Sequence, residues 1–244
     1  MERPVYRARR ELFERMDIPV TKADIQILKW KQRSRLVVWE GMLRSLLVFK
    51  RLLDILLSSF ALVLLLPILI VVAVCIIIED GFPVIYMQKR VGLNGREFRF
   101  YKFRSMVKGA DKLKLDLLDH NESGDGVTFK MREDPRVLRI GRFLRRSSID
   151  EIPQFFNVLI GDLSVVGPRP PLSEEVKSYS LSDRKRLHVK PGLTCLWQIR
   201  GRSDIPFDQQ VGLDMQYIQS QSIFKDLVIV LKTIPAVLFG RGAY

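Results

Sequence analysis

The sequence predicts a mostly helical α/β domain with short strands, carried on a membrane anchor that enters and leaves the bilayer from one side. Three observations point there. Residues Ile55 to Ile78 form an uncharged apolar run of 24 residues with Pro67 near its middle. Basic residues are equally numerous on the two sides of that run. Beyond it, short alternating segments and Gly/Pro punctuation are interleaved with helical periodicity to the end of the chain.

Composition narrows the function classes. The net charge is +13 over 244 residues, and residues 1 to 51 carry +7 of it, just ahead of the apolar run. A basic balance suits nucleic acid, anionic lipid or phosphorylated small molecules. Position favours lipid, because Lys and Arg beside a membrane segment gain roughly 1 kcal/mol each near an anionic leaflet. No aromatic-basic stacking motif is present, which argues against nucleic acid. Cys75 and Cys195 stand apart with no CxxC, and His120 and His188 lie in charged surroundings, so neither a disulfide framework nor a zinc site is implied. The first apolar run begins about fifty residues in and lacks a small-residue cleavage site, so no signal peptide is expected and the domain should stay in the cytoplasm.

In chain order, residues 1 to 48 form a basic extension. Residues 1 to 20 are charged and end at Pro19, as a short helix or loose arm. From Thr21, with Asp24 as a capping-box partner, Ile25, Leu28, Leu36, Trp39, Leu43, Leu46 and Leu47 recur at helical spacing among Lys and Arg. Periodicity alone fits either a core-facing helix or one lying in the headgroup layer; the neighbouring apolar run favours the interface. The same helix offers a contact for a homodimer. Residues 49 to 79 form the anchor. As one straight helix the apolar run would reach ~36 Å, enough for a ~30 Å hydrocarbon core. Pro67, however, removes a backbone donor and should break the helix there. Six basic residues within 31–51 and six within 79–104 leave the positive-inside rule no asymmetry. Two half-helices of about twelve residues, each ~17 Å long, would enter one leaflet and return.

Residues 80 to 244 form the cytoplasmic domain. Val84 to Met106 reads as strand, turn and strand around Asn94-Gly95, with Phe98, Phe100, Lys102 and Arg104 on one side of the second strand. A charged helix over Val107 to His120, a glycine-containing loop over 121–127 and a basic helix over Arg136 to Arg146 follow. The next helix starts near Asp150, because Pro153 is tolerated only in a first turn, and stops at Gly161. Leu163 to Val166 reads as a short strand, Gly167-Pro-Arg-Pro170 as a rigid turn, Asp183 to His188 as a basic helix and Leu193 to Ile199 as a strand. Helices over Phe207 to Gln219 and Ser222 to Phe239 close the chain, the last with an apolar face suited to the membrane surface.

The stretch from Arg145 to Pro170 carries the chemistry. Asp150 and Glu151 sit at a helix start among arginines. Exposed N–H groups and neighbouring cations favour the carboxylate, so Asp150 is expected to be ionised at neutral pH and suited to act as a nucleophile or metal ligand. Glu151 beside it is a hard oxygen donor of the kind that holds Mg²⁺. Capping alone would also explain an Asp-Glu pair. Lys102, Arg169 and Arg202, taken singly, read equally as solvated surface cations.

Several further motifs occur in order: Lys50-Arg-Leu-Leu-Asp54, Gln88-Lys-Arg-Val-Gly92, Tyr101-Lys-Phe-Arg104, Arg145 with Asp150-Glu-Ile-Pro-Gln154, Asn157-Val-Leu-Ile-Gly-Asp162, Gly167-Pro-Arg-Pro170 and Lys190-Pro-Gly-Leu-Thr194 leading to Gly201-Arg202. Through them Lys50 to Tyr244 resembles the bacterial sugar transferases, the monotopic phosphoglycosyl transferases. The resemblance implies transfer of a sugar 1-phosphate from a UDP-sugar to polyprenyl phosphate on the cytoplasmic face of the bacterial inner membrane, with membrane lipid as a further partner. It implies Asp150 as the nucleophile that forms an aspartyl-phosphosugar and releases UMP, and Glu151 as the Mg²⁺ ligand. It also implies Arg145, Lys102, Arg104, Arg169 and Arg202 as phosphate-binding cations, Asp226 as a functional aspartate and Pro67 as the membrane break. Many members have Ser-Pro at that break, where this chain has Leu66-Pro67, and residues 1 to 48 have no assigned counterpart. The alternatives from other classes are a catalytically silent membrane-bound scaffold and a membrane-tethered basic binding protein. The intact Asp150-Glu151 pair argues against silence.

Overall fold

The structure, a computed structural model, describes residues 22–113, 117, 131, 133–201 and 205–238. It divides into two units, Met1–Lys50 and Arg51–Tyr244. Helix α1, Lys22–Asp80, runs through the boundary. The arm over residues 1 to 20 and the Thr21 cap lie outside the described residues. In the first unit the helix exposes Trp30, Val37, Trp39, Leu47 and Phe49 among its basic residues. Lys29–Asp80 is long and apolar enough to cross a membrane. The expected break at Pro67 does not interrupt the helix, which is assigned helical on both sides of it. An interior proline costs one backbone hydrogen bond and a steric bend, and long apolar helices absorb that locally without ending.

In the second unit the part of α1 from Arg51 to Asp80 is tied to the folded domain at both of its ends. The guanidinium of Arg51 donates to Val158 O at 2.5 Å and Leu159 O at 2.7 Å, and Asp54 accepts the Val165 N–H at 3.0 Å. At the other end Glu79 accepts the N–H groups of Arg139 and Ile140 at 2.6 and 3.0 Å, while Asp80 pairs with Arg104 at 3.1 Å. Val72 and Ile76 are buried, whereas Leu56, Phe60, Val63, Leu64, Val71 and Ile78 face outward.

Strands β1, Ile85–Val91, and β2, Glu97–Phe103, pair antiparallel from Ile85↔Phe103 to Val91↔Glu97. The Leu93–Gly95 turn joins them, with Asn94 at φ 55, as the Asn-Gly pair predicts. Within the expected helix over 107–120, the described residues are α-helical at Ala110–Leu113, helix α2. The expected loop over 121–127 is outside the described residues. Helix α3 covers Arg139–Ser147, a 3-10 turn Ile149–Glu151, helix α4 Gln154–Ile160 and strand β3 Ser164–Val166. Helix α5, Ser173–Lys177, and a 3-10 turn over Asp183–His188 lead to strand β4, Gly192–Thr194, which pairs parallel with β3. The strand expected over Leu193 to Ile199 therefore ends at Thr194. From Trp197 the chain turns, its carbonyl accepting the N–H groups of Arg200 and Gly201. Helices α6, Phe207–Gln219, and α7, Ile223–Leu238, match their expected spans within a residue.

Two buried clusters follow from the period of two in β2. Phe100 packs with Val158, Leu163, Val166, Leu196, Tyr217 and Ile229. Phe103 points the other way, onto Val72 and Ile76 of α1 and Leu144 of α3. Each fully buried aliphatic side chain contributes roughly 1.5–3 kcal/mol, so the second cluster fastens α1 to the hairpin. Lys102 lies on β2 between the two phenylalanines.

Candidate active site

Ser148 sets up the site. It closes α3 in the left-handed region at φ 55, ψ 20, and reverses the chain into the Ile149–Glu151 turn. Asp150 and Glu151 thus stand on a 3-10 turn ahead of α4, rather than at the first residue of the α-helix. The Asp150 residue is 8% exposed, and its carboxylate accepts no hydrogen bond among the described residues. Glu151 pairs with Arg169 at 2.9 Å. Arg145, on the last turn of α3, donates from Nε to Ser105 Oγ at 3.1 Å. The Lys102 ammonium lies 5.2 Å from the centre of the Tyr86 ring.

The two carboxyls are pushed apart. Burial, reinforced by the adjacent Glu151, raises Asp150 to about 7 against the pull of Lys102, Arg145 and Arg169. Burial would raise Glu151 too, but the paired Arg169, with Lys102 and Arg90 nearby, holds it below the usual range. Burial and the neighbouring Arg90 and Arg145 bring Lys102 down to about 8 despite Asp150. The expectation from its cations and helix start is an Asp150 ionised at neutral pH; burial instead shifts it upward. Loss of water outweighs the cations.

Arg169 is aimed by a clamped loop. Gly167 donates to Thr194 O at 3.0 Å and Gly192 to Pro168 O at 2.9 Å, so Gly167-Pro-Arg-Pro170 and Lys190-Pro-Gly-Leu-Thr194 form one backbone pairing. A Cβ on Gly192 would lie 2.0 Å from Gly167 N. On the outer side, Arg90 Nη1 donates to Pro170 O at 2.9 Å and Val91 N to Pro171 O at 2.9 Å.

The structure brings together Asp150, Glu151, Lys102, Arg145 and Arg169. Arg104 does not join them. It is 5% exposed, donates to Asp80 O and Gly81 O, and pairs with the Asp80 carboxylate at the end of α1. Asp226 accepts the Tyr217 hydroxyl at 2.7 Å behind β3. Arg202 lies outside the described residues. Pro67 is an exposed residue of α1. Arg90 is the residue sequence reasoning left without a role, although it sits inside Gln88-Lys-Arg-Val-Gly92. Its signal was alternation: β1 turns Gln88 and Arg90 to one side and the exposed Met87 and Lys89 to the other.

No cluster of three or more His, Cys, Asp or Glu side chains suited to a metal occurs among the described residues. The donor set still fits Mg²⁺ in its usual mode, in which one or two carboxylates share the ion with substrate phosphates and waters. Four surrounding cations disfavour a resident ion without such an anion.

Comparison with known proteins identifies the family. The profile described as bacterial sugar transferase matches residues 45–240. The chain belongs to the bacterial sugar transferase family. Within that family it is 54% identical over 166 residues to the galactosyl transferase CpsE of Streptococcus agalactiae serotype III, covering 68% of this chain and 37% of CpsE. It is 41% identical over 198 residues to the exopolysaccharide production protein ExoY of Rhizobium meliloti, covering 80% of this chain and 88% of ExoY. It is also 37% identical over 203 residues to a UDP-glucose:undecaprenyl-phosphate glucose-1-phosphate transferase of Caulobacter vibrioides, covering 80% of this chain and 72% of that protein. All of the clustered charges lie inside the part that the family profile matches.

Proposed function

We propose that this sugar transferase moves a sugar 1-phosphate from a UDP-sugar to a polyprenyl phosphate at the cytoplasmic face of the membrane. The observation that carries the reading is the pair of adjacent carboxyls with opposite shifts, set among Arg90, Lys102, Arg145 and Arg169. A desolvated carboxylate without hydrogen bonds is a better nucleophile than a solvated one, and the cations suit a diphosphate. An Asp150 oxygen attacks the β-phosphorus, the bond from that phosphorus to the bridging oxygen breaks, and UMP leaves with the electron pair. A polyprenyl phosphate oxygen then attacks the same phosphorus and expels Asp150, giving a polyprenyl diphosphate sugar. Glu151 would hold Mg²⁺, which supplies charge neutralisation on the diphosphate. Arg169 and Arg145 orient the phosphate oxygens.

A lipid acceptor is supported by a cavity of about 560 Å³ walled by Leu62, Leu69 and Ile70 of α1, Tyr101 and Phe103 of β2 and Phe156 of α4. Tyr101 and Pro153, also in its wall, adjoin Lys102 and the Asp150-Glu151 turn in sequence. A re-entrant course for α1 is supported by the ties at Arg51 and Asp54 and at Glu79 and Asp80. A straight helix would put those ends ~44 Å apart. Two ends held by one folded body favour entry and return over a full crossing of a ~30 Å core. Such a course would place its bend within the helix, at Pro67.

The test uses the detergent-purified chain with Mg²⁺ and a panel of UDP-sugars before any polyprenyl phosphate is added. Release of UMP and a phosphosugar mass on the peptide bearing Asp150 are expected, and Asp150→Asn should abolish both. Full turnover by Asp150→Asn would overturn the covalent route.

A further inference from the structure

Helix α3 carries Arg142, Arg145 and Arg146 near its end, and of these three Arg145 alone is turned inward, while Arg142 and Arg146 are exposed. Its carbonyl accepts the Ser148 N–H at 3.1 Å, and Ser148 O accepts the Glu151 N–H at 3.2 Å, so the turn that carries Asp150 and Glu151 hangs from the backbone of Arg145. The direction of its guanidinium is set by one side chain from another element. Arg145 Nε donates to Ser105 Oγ at 3.1 Å.

Ser105 is itself held from several sides. It lies two residues beyond β2 and is 3% exposed. Its carbonyl accepts the Leu138 N–H at 3.0 Å, Val107 N donates to Arg136 O at 2.9 Å, and Met106 bridges Val137 antiparallel between them. Helix α3 closes over this short ladder through Gly141, where an added Cβ would collide with the Ser105 carbonyl. Side chains on a helix lean toward its N-terminus, and Arg145 lies one turn after Gly141 on the same face. Its stem therefore runs back over the space that Gly141 leaves open and meets the Ser105 hydroxyl. Next to it Leu144 packs with Phe103 of β2, so two consecutive residues of α3 are fastened to the end of the same strand.

The chemistry of the partner matters as much as its place. Arg169 pairs with Glu151, Arg104 with Asp80 and Arg136 with Asp134, whereas Arg145 pairs with no carboxylate among the described residues. Asp134 is already engaged, because Arg136 donates to it from Nε at 2.9 Å and from Nη2 at 2.6 Å. A hydroxyl restrains a guanidinium without cancelling its charge, and it takes Nε, so the end-on pair of terminal nitrogens stays available as a fork. Those nitrogens donate to no described residue. A pre-ordered fork loses little entropy when it meets an anion.

Resting on the donor reading above, we propose that Ser105 is a positioning residue for Arg145: its hydroxyl fixes the guanidinium through Nε and leaves the charge and the terminal nitrogens to the donor phosphate. Ser105 touches no substrate. It acts through Arg145 alone.

A double-mutant cycle tests this, with UDP as the probe, titrated calorimetrically with Mg²⁺ into the full chain in detergent. The four proteins are wild type, Ser105→Ala, Arg145→Ala and the double variant; Arg145→Lys, which leaves a charge and a measurable affinity, replaces Arg145→Ala if the latter binds too weakly to titrate. Ser105→Ala should weaken UDP binding about fivefold, in line with one lost hydrogen bond, at an unchanged binding stoichiometry. In the Arg145 variant the same substitution should cost less than about 1.5-fold, because the group it positions is gone. Wild-type affinity in Ser105→Ala would overturn the inference. So would an equal loss in both backgrounds, which is the mark of a general structural effect, or a fall in stoichiometry at wild-type affinity, which is the mark of misfolding. Failure of the wild type itself to bind UDP would instead overturn the donor reading, and the inference with it.

Discussion

Asp150 sits at about 7 because the folded chain strips water from it faster than the surrounding cations can compensate. Under the proposed mechanism only the ionised form of Asp150 attacks phosphorus, and burial makes that form scarcer on the acid side than for an ordinary carboxyl. The kcat/KM for the UDP-sugar should rise about tenfold per pH unit on the acid side and level off above about 7, since kcat/KM reports the free enzyme. A profile flat down to pH 5 would contradict the assignment. Glu151 carries the opposite shift because Arg169 touches it, so two neighbours of the same chemical type take different roles. At this scale the residue types were legible in the motifs, and the direction of the Asp150 shift was not. Reasoning from a helix N-terminus counts local dipoles, whereas burial under β2 and the Gly167–Pro171 loop is a sum over residues distant in sequence.

The elements act as spacers for these side chains. Helix α3 runs from the Glu79 carboxylate, which satisfies its first N–H groups, to Arg145 beside Asp150. Helix α4 begins just after the two acids and ends at Gly161, where the left-handed φ of 98 closes it and Arg51 takes its last carbonyls. Strand β3 delivers Arg169 and is held by Asp54 from α1 and by β4 alongside. The β3–β4 pairing depends on two glycines in backbone contact. Gly192→Ala should cost about 1–3 kcal/mol in stability, from overpacking, and should reduce turnover further than the stability loss explains, because Gly167 and Arg169 move with it. Thermal unfolding and steady-state rates measure both, and an unchanged melting temperature would show that the contact yields freely. The hairpin, α4, α6 and α7 were readable from turn residues and periodicity, since those signals are local. The shortness of β4 was not, because its length is set by the three residues of β3 that it can pair with.

Over the whole second unit, the α1 segment is a scaffold, and in the proposed topology also the anchor. Its outward residues are apolar, while Arg51, Asp54, Glu79 and Asp80 grip the same domain from its two ends. Cysteines placed singly at Leu52 and Ile78, in a background lacking Cys75 and Cys195, should both react with a membrane-impermeant maleimide applied to inside-out vesicles. Protection of one and labelling of the other would mean that α1 crosses the bilayer. Sequence by itself determined the family, the apolar run, the order of the elements and the residue types of the site, because motifs, composition and local periodicity are properties of neighbours along the chain. Tertiary structure alone decided that Arg104 is tied to Asp80 and Gly81 at the end of α1, that Arg90 joins the charge cluster, that burial raises Asp150 and that α1 stays helical through Pro67. Each of those depends on which distant groups exclude water from, or hydrogen-bond to, the residue in question, and that is settled only when the chain is packed.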